Sequence, residues 1–133
     1  MTNTTPKTLL RKDLDGFSMS LRGDGIVQVD INSDEVMDVK HIKLGVEFLK
    51  EISEGNKFPL LFVVGAFSLP TDEARLYEAS EESNPYASAE AYVINSLAQK
   101  LIGNFYLKFN KPVRPTKFFR NIEEAAEWLK EFL

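Results

Sequence analysis

Cysteine is absent from this chain of 133 residues, and histidine occurs only once, as His41. Without cysteine there is no disulfide framework, no thiolate nucleophile and no zinc site of the common cysteine type. One imidazole cannot form an ordinary transition-metal site, and no G-x-S-x-G elbow supplies a serine for a triad with it. His41 as a general base stays an alternative to the preferred interpretation, a surface or edge histidine. We predict no metal site and no catalytic residue.

Long hydrophobic runs and a surplus of positive charge are also missing. The longest apolar run, residues 59–64, is far below the ~18 residues that cross a bilayer, and residues 1–10 lack the apolar segment of a signal peptide. The net charge of -4 argues against a nucleic-acid partner. We therefore expect a cytoplasmic protein with no membrane insertion. Lys108, Lys111, Arg114, Lys117 and Arg120 could form a local basic face, but the favoured interpretation is a solvated strand and loop surface.

The length is typical of one domain. Residues 1–13 are polar, which predicts a flexible N-terminal tail before a single α/β domain over residues 14–133. Apolar and polar side chains alternate over residues 17–22 and 26–31, which predicts a β-hairpin turning at Gly23-Asp24-Gly25.

Helical periodicity over residues 38–54 predicts an amphipathic helix, capped by Ser33 or Asp38. The apolar segment Phe58 to Gly65 predicts a central strand covered on both faces. A second helix is expected from Thr71, its cap, to about residue 80.

The rest of the chain predicts an alanine-rich helix over 86–101, a half-exposed strand over 105–109, a short strand over 116–119 and a last helix. Asn121 and Glu124 form the capping box of that last helix. The predicted order is ββαβααββα. Such alternation indicates a mixed β-sheet with packed helices.

The loop that follows the central strand, residues 65–71, is the candidate binding site, because ligands of open α/β folds bind beyond the carboxyl ends of the strands. Ser68 and Thr71 either bind an anion or simply cap the helix, and Ser68 is also a candidate phosphoacceptor. Arg75 pairs with Asp72 or with a bound anion. Tyr77 lines a pocket or bridges core and solvent. Ser68, Thr71, Arg75 and Tyr77 are the candidate ligand-binding or partner-binding residues.

Adjacent carboxylates could suggest acid/base catalysis, but neighbouring residues on a helix do not face each other. Helix-dipole complementation and solvation explain most of them. The pairs are Asp34-Glu35, Asp72-Glu73, Glu81-Glu82 and Glu123-Glu124.

Several of these features together resemble the SpoIIAA-like proteins, which are grouped with the STAS domains. The resemblance rests on the hairpin, the amphipathic helix, the strand Phe58 to Gly65, the segment 74–77 and the ending 115–119 with 124–129. It implies an α/β sandwich without metal or cofactor and a role in protein interaction or ligand sensing. The chain departs from the phosphorylatable Asp-Ser-Ser/Thr-Gly motif, because Ser68 stands in that neighbourhood without the aspartate or the glycine.

The leading hypothesis is thus a non-enzymatic protein-interaction or regulatory module of bacterial SpoIIAA-like type. The alternative is a binding or sensing protein for a small apolar or anionic ligand, with a pocket between Phe67, Arg75, Tyr77 and the third helix. A small enzyme is the least favoured. A homodimer could form through an exposed strand edge at residues 105–109.

Overall fold

The computed structural model describes residues 6–133. In that part of the chain, strands and helices follow one another as β1 (Thr8–Leu14), β2 (Phe17–Arg22), β3 (Val27–Ile31), β4 (Val36–Met37), α1 (Val39–Ser53), β5 (Phe58–Val63), β6 (Leu69–Pro70), α2 (Asp72–Glu78), β7 (Ala87–Val93), α3 (Leu97–Phe105), β8 (Thr116–Phe119) and α4 (Ile122–Leu129). A π-helical turn, Tyr106–Asn110, continues α3, and a 3-10 turn, Lys130–Phe132, continues α4.

Six strands form one mixed sheet in the order β1-β2-β3-β5-β7-β8. β1, β2 and β3 are antiparallel neighbours, whereas β3, β5, β7 and β8 run parallel. The predicted α/β class, the mixed sheet and the hairpin are confirmed. β5 lies inside the sheet, between β3 and β7, as its apolar sequence predicted.

Helices cover both faces of the sheet. Leu60 faces α1, where it joins a buried cluster with Phe48 and Leu49. Leu61, the next residue of β5, points the opposite way and packs with Ala125 and Leu129 of α4. α2 and α3 lie on the same face as α1. The result is a three-layer arrangement with two buried cores, one on each side of the sheet.

Three helix starts follow the capping chemistry that the sequence predicts. Asp38 caps α1 by accepting a hydrogen bond from the backbone N–H of Val39, and Thr71 caps α2 by accepting one from that of Ala74. Asn121 accepts from Glu124 at the start of α4. Each side-chain oxygen satisfies an N–H group that has no partner within its own helix. Of the two caps considered for α1, the structure uses Asp38.

The N-terminal region differs from the prediction of a flexible tail through residue 13. Residues 1–5 lie outside the described part of the chain, but β1 begins at Thr8 and pairs with β2 along an edge of the sheet. Its side chains are mostly exposed. An edge strand is held chiefly by main-chain hydrogen bonds, so a strand on the surface gives little apolar signal in the sequence.

The alanine-rich helix predicted over 86–101 is wrong for its first half. Ala87–Val93 forms β7, and α3 begins only after Ser96. Ala89 and Ala91 are fully buried between the sheet and α4, where their small side chains allow close packing. Tertiary packing therefore overrides the helix propensity of alanine at these positions.

The strand predicted over 105–109 is also wrong, because these residues end α3 and form the π-helical turn. Gly103 lies inside α3, beyond the end of the helix predicted over 86–101. A Cβ atom there would stand 2.9 Å from the ring of Phe118, so glycine allows α3 to approach β8 closely. The proposed homodimer through a strand edge at 105–109 loses its structural basis.

Candidate functional site

An apolar cavity of about 130 Å³ lies between the sheet and the three helices on its α1 face. Phe62 of β5 and Tyr92 of β7 form part of its floor, near the carboxyl ends of two parallel strands. Ile42, Ala74 and Ile102 line it from α1, α2 and α3 respectively. This is the position at which ligands of α/β folds commonly bind.

The short parallel pair of β4 and β6 closes one side of this cavity. Val36 pairs with Leu69 and Met37 pairs with Pro70, and this pairing brings the loop after β5 against the start of α1. Met37, Leu69 and Pro70 all line the cavity. Neither short strand was predicted, because two residues carry no readable periodicity.

An aromatic stack forms the floor of the cavity. The ring of Tyr92 stacks on Phe62, with 4.5 Å between the ring centroids, and on Phe118, at 5.0 Å. The ring of Tyr106 meets Tyr92 edge-on at 6.4 Å. Three neighbouring strands supply the stacked rings, which makes this floor rigid.

The cavity wall is apolar except for a few polar groups, among them Arg75, Glu78 and Tyr106. The Tyr106 hydroxyl and the Arg75 Nε–H are buried, and neither has a hydrogen-bond partner among residues 6–133. Unpaired buried polar groups are rare in folded proteins, because each loses its hydration without compensation. These two groups can serve a molecule held in the cavity.

Behind this wall lies a buried ionic cluster, defined here as Glu78, Glu90 and Arg114. Glu90 is 0% exposed, and one of its carboxylate oxygens accepts a hydrogen bond of 2.9 Å from the Tyr92 hydroxyl. Arg114 Nη1 stands 3.5 Å from the other oxygen of Glu90 and 3.4 Å from Glu78 Oε2. One guanidinium therefore serves two carboxyl groups.

The surplus of carboxyl groups over cations changes their titration. Burial, followed by the nearby charge of Glu90, raises the pKa of Glu78 well above its usual range, and Arg114 opposes this only in part. Burial and the same carboxylates also raise the pKa of Tyr92 and Tyr106. At neutral pH both tyrosines therefore keep their protons. Glu78 is protonated to a greater extent than an ordinary glutamate. The Tyr92 hydroxyl donates its proton to Glu90, whereas the Tyr106 hydroxyl has no hydrogen-bond partner among residues 6–133.

Arg114 also fixes the segment that links α2 to β7. Its guanidinium donates to the backbone carbonyls of Glu78 at 2.8 Å, of Ser80 at 3.2 Å and of Asn84 at 3.4 Å. It donates to the Ser83 hydroxyl as well, at 3.3 Å. The sequence placed Arg114 on a solvated strand and loop surface, which is wrong for this residue because its side chain is buried.

Ser68 is 1% exposed and lines the cavity. Its hydroxyl donates a hydrogen bond of 2.6 Å to the backbone carbonyl of Glu35, and its own carbonyl accepts one from Gln99. The side chain ties the loop to two neighbouring segments. In this conformation the hydroxyl faces the protein interior, so its use as a phosphoacceptor would require the loop to open.

Thr71, Arg75 and Tyr77 are not brought together. Thr71 donates to Asp38 Oδ1 at 2.9 Å and so links the caps of α1 and α2. Arg75 pairs with Asp72 at 2.5 Å and lines the cavity. Tyr77 is outside the cavity wall, with the Lys43 ammonium 5.7 Å from its ring centre. Of the four predicted site residues, only Ser68 and Arg75 reach the cavity.

His41 has a structural role at the start of α1. It is 3% exposed, and its Nδ1 accepts a hydrogen bond of 2.9 Å from the backbone N–H of Asp38. This bond completes a capping box with Asp38. Because Nδ1 accepts, the ring proton lies on Nε2, which is 3.5 Å from Glu35 Oε2. His41 is buried, contrary to the surface or edge position expected from the sequence.

Sequence reasoning missed Glu90 and Tyr106, the most informative polar residues of the site. Glu90 was hidden because residues 86–101 were interpreted as one helix. The signal was present as a period of two in β7, where Ala89, Ala91 and Val93 alternate with Glu90 and Tyr92. No three His, Cys, Asp or Glu side chains within residues 6–133 are grouped so that they could hold a metal ion.

Residues 19–133 match the model of a protein family described as domain of unknown function (DUF7793). The chain belongs to the DUF7793 family. All residues that line the cavity and form the ionic cluster lie inside the matched region. No curated protein and no solved structure matches the chain. Within residues 6–133, no helix has the length and apolar character needed to cross a membrane.

Proposed function

We propose that this DUF7793 protein is a non-enzymatic binding module that encloses a small, largely apolar molecule carrying one oxygen function, such as a hydroxyl or carbonyl group. The cavity at the carboxyl ends of β5 and β7 is the observation that carries the proposal. It corresponds to the ligand-binding alternative suggested by the sequence: Arg75 and the third helix line the cavity, whereas Phe67 and Tyr77 do not.

The size of the cavity supports this proposal. The cavity has a volume of about 130 Å³ and an almost entirely apolar lining. An engineered apolar cavity of about 150 Å³ is known to bind benzene. A six-membered ring is therefore the appropriate scale for the ligand.

The polar groups on the wall support an oxygen function on the ligand. The Tyr106 hydroxyl and the Arg75 Nε–H are both free to donate to an oxygen acceptor. Glu78 also lines the cavity, and its carboxyl oxygens can accept a hydrogen bond from a ligand hydroxyl. Binding is favoured over catalysis because the Ser68 hydroxyl and the His41 Nδ1 are both engaged in structural hydrogen bonds.

Phenol and toluene provide a matched pair of probes, since they have similar shapes and differ in the oxygen. We expect both probes to bind saturably, and phenol to bind more tightly than toluene. Changes in the amide chemical shifts of cavity residues measure this binding. Tyr106→Phe should remove the preference for phenol without loss of stability, because the hydroxyl has no partner to lose. Tyr77→Phe is the control, because Tyr77 is outside the cavity wall.

Two results would contradict the proposal. One is the absence of saturable binding of either probe to the wild-type protein. The other is an unchanged preference for phenol in Tyr106→Phe. Ala74→Leu adds volume at the cavity wall and offers an independent check. It should weaken the binding of both probes while leaving the far-ultraviolet circular dichroism spectrum unchanged.

We also propose a protein-interaction role at the loop after β5, the function that the sequence favoured. Phe67 is 76% exposed and has a φ of 64°, a left-handed conformation that is uncommon for a large side chain. Strained backbone that holds an aromatic ring in solvent is typical of functional surfaces. Val36 adds a second exposed apolar side chain on the neighbouring strand β4.

Phe67→Asn tests this role, because asparagine tolerates a left-handed backbone. The wild-type protein should co-purify with a partner in stoichiometric amount and the variant should not. Equal recovery of that partner by both proteins would contradict an interaction at Phe67. Leu76→Asn, at another exposed apolar position, serves as the matched control.

A further inference from the structure

Helix α3 and the π-helical turn present apolar side chains to solvent on the side turned away from the sheet. Leu97, Leu101 and Phe105 follow one another at intervals of four residues, which places them in one row along the helix. Leu97 is 71% exposed and Phe109, whose ring is 4.8 Å from that of Phe105, is 61% exposed. Single exposed apolar residues are ordinary, but a continuous row marks an interaction surface.

Positive charge accompanies this row. Lys100 and Lys108 are exposed on α3 and on the π-helical turn, and the Lys108 ammonium is 5.4 Å from the ring centre of Phe109. The chain carries no acidic residue between Glu90 and Glu123, although its net charge is -4. We call the six side chains Leu97, Lys100, Leu101, Phe105, Lys108 and Phe109 the apolar-basic surface.

We propose that the apolar-basic surface docks on an anionic phospholipid membrane, with its phenylalanine and leucine side chains at the level of the headgroups. A helix that combines Phe and Leu with flanking lysines lies in the membrane interface, where apolar burial and attraction to anionic lipids act together. Such docking is peripheral and differs from the membrane insertion that the sequence argues against.

Charge disfavours a second copy of the chain as the occupant. An isologous dimer would bring the lysines of two identical surfaces together, and none of the six side chains that define the surface is a carboxylate that could pair with them. An anionic bilayer supplies both the negative charge and the apolar layer that this surface needs.

The full chain can be tested by co-sedimentation with vesicles of phosphatidylglycerol and phosphatidylcholine, compared with vesicles of phosphatidylcholine alone. We expect binding only to the anionic vesicles and its loss at high salt. The variant with Lys100→Ser and Lys108→Ser should bind roughly 25-fold more weakly, since each lysine near an anionic surface strengthens binding roughly fivefold. The variant with Phe105→Ser and Phe109→Ser should bind the anionic vesicles roughly tenfold more weakly, or weaker still.

A matched control combines Leu9→Ser on β1 with Lys57→Ser, because both positions are exposed and lie outside the apolar-basic surface. This variant should bind like the wild type. Circular dichroism shows whether each variant is folded, and the lysine variant keeps the proposal testable if the phenylalanine variant is not.

Three outcomes would overturn the proposal. The first is equal sedimentation with and without anionic vesicles. The second is a concentration-dependent dimer in analytical ultracentrifugation that the Phe105 and Phe109 substitutions abolish, with no vesicle binding. The third is retention by an immobilised acidic amphipathic peptide, again without vesicle binding, which would assign the surface to a protein partner. None of these results depends on whether the cavity binds a ligand.

Discussion

Replacing Arg114 by methionine removes the only cation of the buried ionic cluster while keeping a similar apolar stem. The guanidinium lies 3.5 Å from Glu90 and 3.4 Å from Glu78, and it also donates to three backbone carbonyls. In Arg114→Met, Glu90 is left fully buried with the Tyr92 hydroxyl as its remaining donor. We expect a large loss of stability whose size depends on pH.

Two independent estimates agree on the magnitude at pH 7. Removing one partner of a buried ion pair costs about 3–5 kcal/mol of unfolding free energy. The variant can avoid a buried charge by taking up a proton. At pH 7, protonating a carboxyl group that has the ordinary pKa of about 4.3 when unfolded costs roughly 3.7 kcal/mol. At pH 5 the same protonation costs only about 1 kcal/mol. The destabilisation should therefore shrink by about 2.7 kcal/mol between these pH values.

Urea unfolding followed by circular dichroism at pH 7 and pH 5 measures both quantities. Arg120→Met is the control, because Arg120 is exposed, and it should change stability by less than about 0.5 kcal/mol. Adding Glu90→Gln to Arg114→Met should restore part of the stability at pH 7, since the double variant keeps one buried carboxyl group, that of Glu78, where the single variant keeps two. A loss that is equal at pH 7 and pH 5 would refute the reasoning, because it would mean that the cost comes from packing and not from charge.

Three further predictions concern the same face of the sheet. Burial raises the pKa of Glu78, so the folded state holds a proton on this side chain that the unfolded state releases, and the stability of the wild type falls as the pH rises above about 4.3. Glu78→Gln should flatten this decline, as measured by urea unfolding between pH 4.5 and 8. The pKa of Asp38 is lowered mainly by the hydrogen bond from the N–H of Val39 and secondly by that from the Thr71 hydroxyl, so Thr71→Val should raise this pKa in an NMR titration. The same substitution removes the cap of α2, which should cost about 1 kcal/mol of stability at pH 7. Gly103→Ala should lower stability by about 1–2 kcal/mol, despite the ~1 kcal/mol gained in helix propensity, because its Cβ would stand 2.9 Å from a stacked ring; increased thermal stability would contradict this.

The sequence predicted those features that depend on neighbouring residues. The hairpin around Gly23-Asp24-Gly25, the amphipathic helix α1 and the caps at Thr71 and Asn121 are all confirmed. In each case the signal is a side-chain period or one local hydrogen bond. The interior position of β5 also followed from its sequence, because a strand covered on both faces must be apolar throughout.

The sequence predicted where the candidate site lies but not which residues form it. The carboxyl ends of the parallel strands follow from the α/β alternation, and the cavity lies there. Tyr77 was expected in the site and is outside the cavity wall, whereas Glu90 and Tyr106 were not expected and are central to it. Which helical residues face inward depends on the angles at which α2 and α3 cross the sheet, and no local pattern sets those angles.

The sequence by itself determined the α/β class, the mixed sheet and the absence of any cysteine-based site. Tertiary packing decided between the two readings of Ala87–Val93, whose alanines favour a helix locally but are buried in a strand against α4. It also decided that residues 105–109 are helical and that Arg114 is buried between two carboxyl groups. Such pairs join residues that are 24 or more positions apart, and only the packed sheet brings them together.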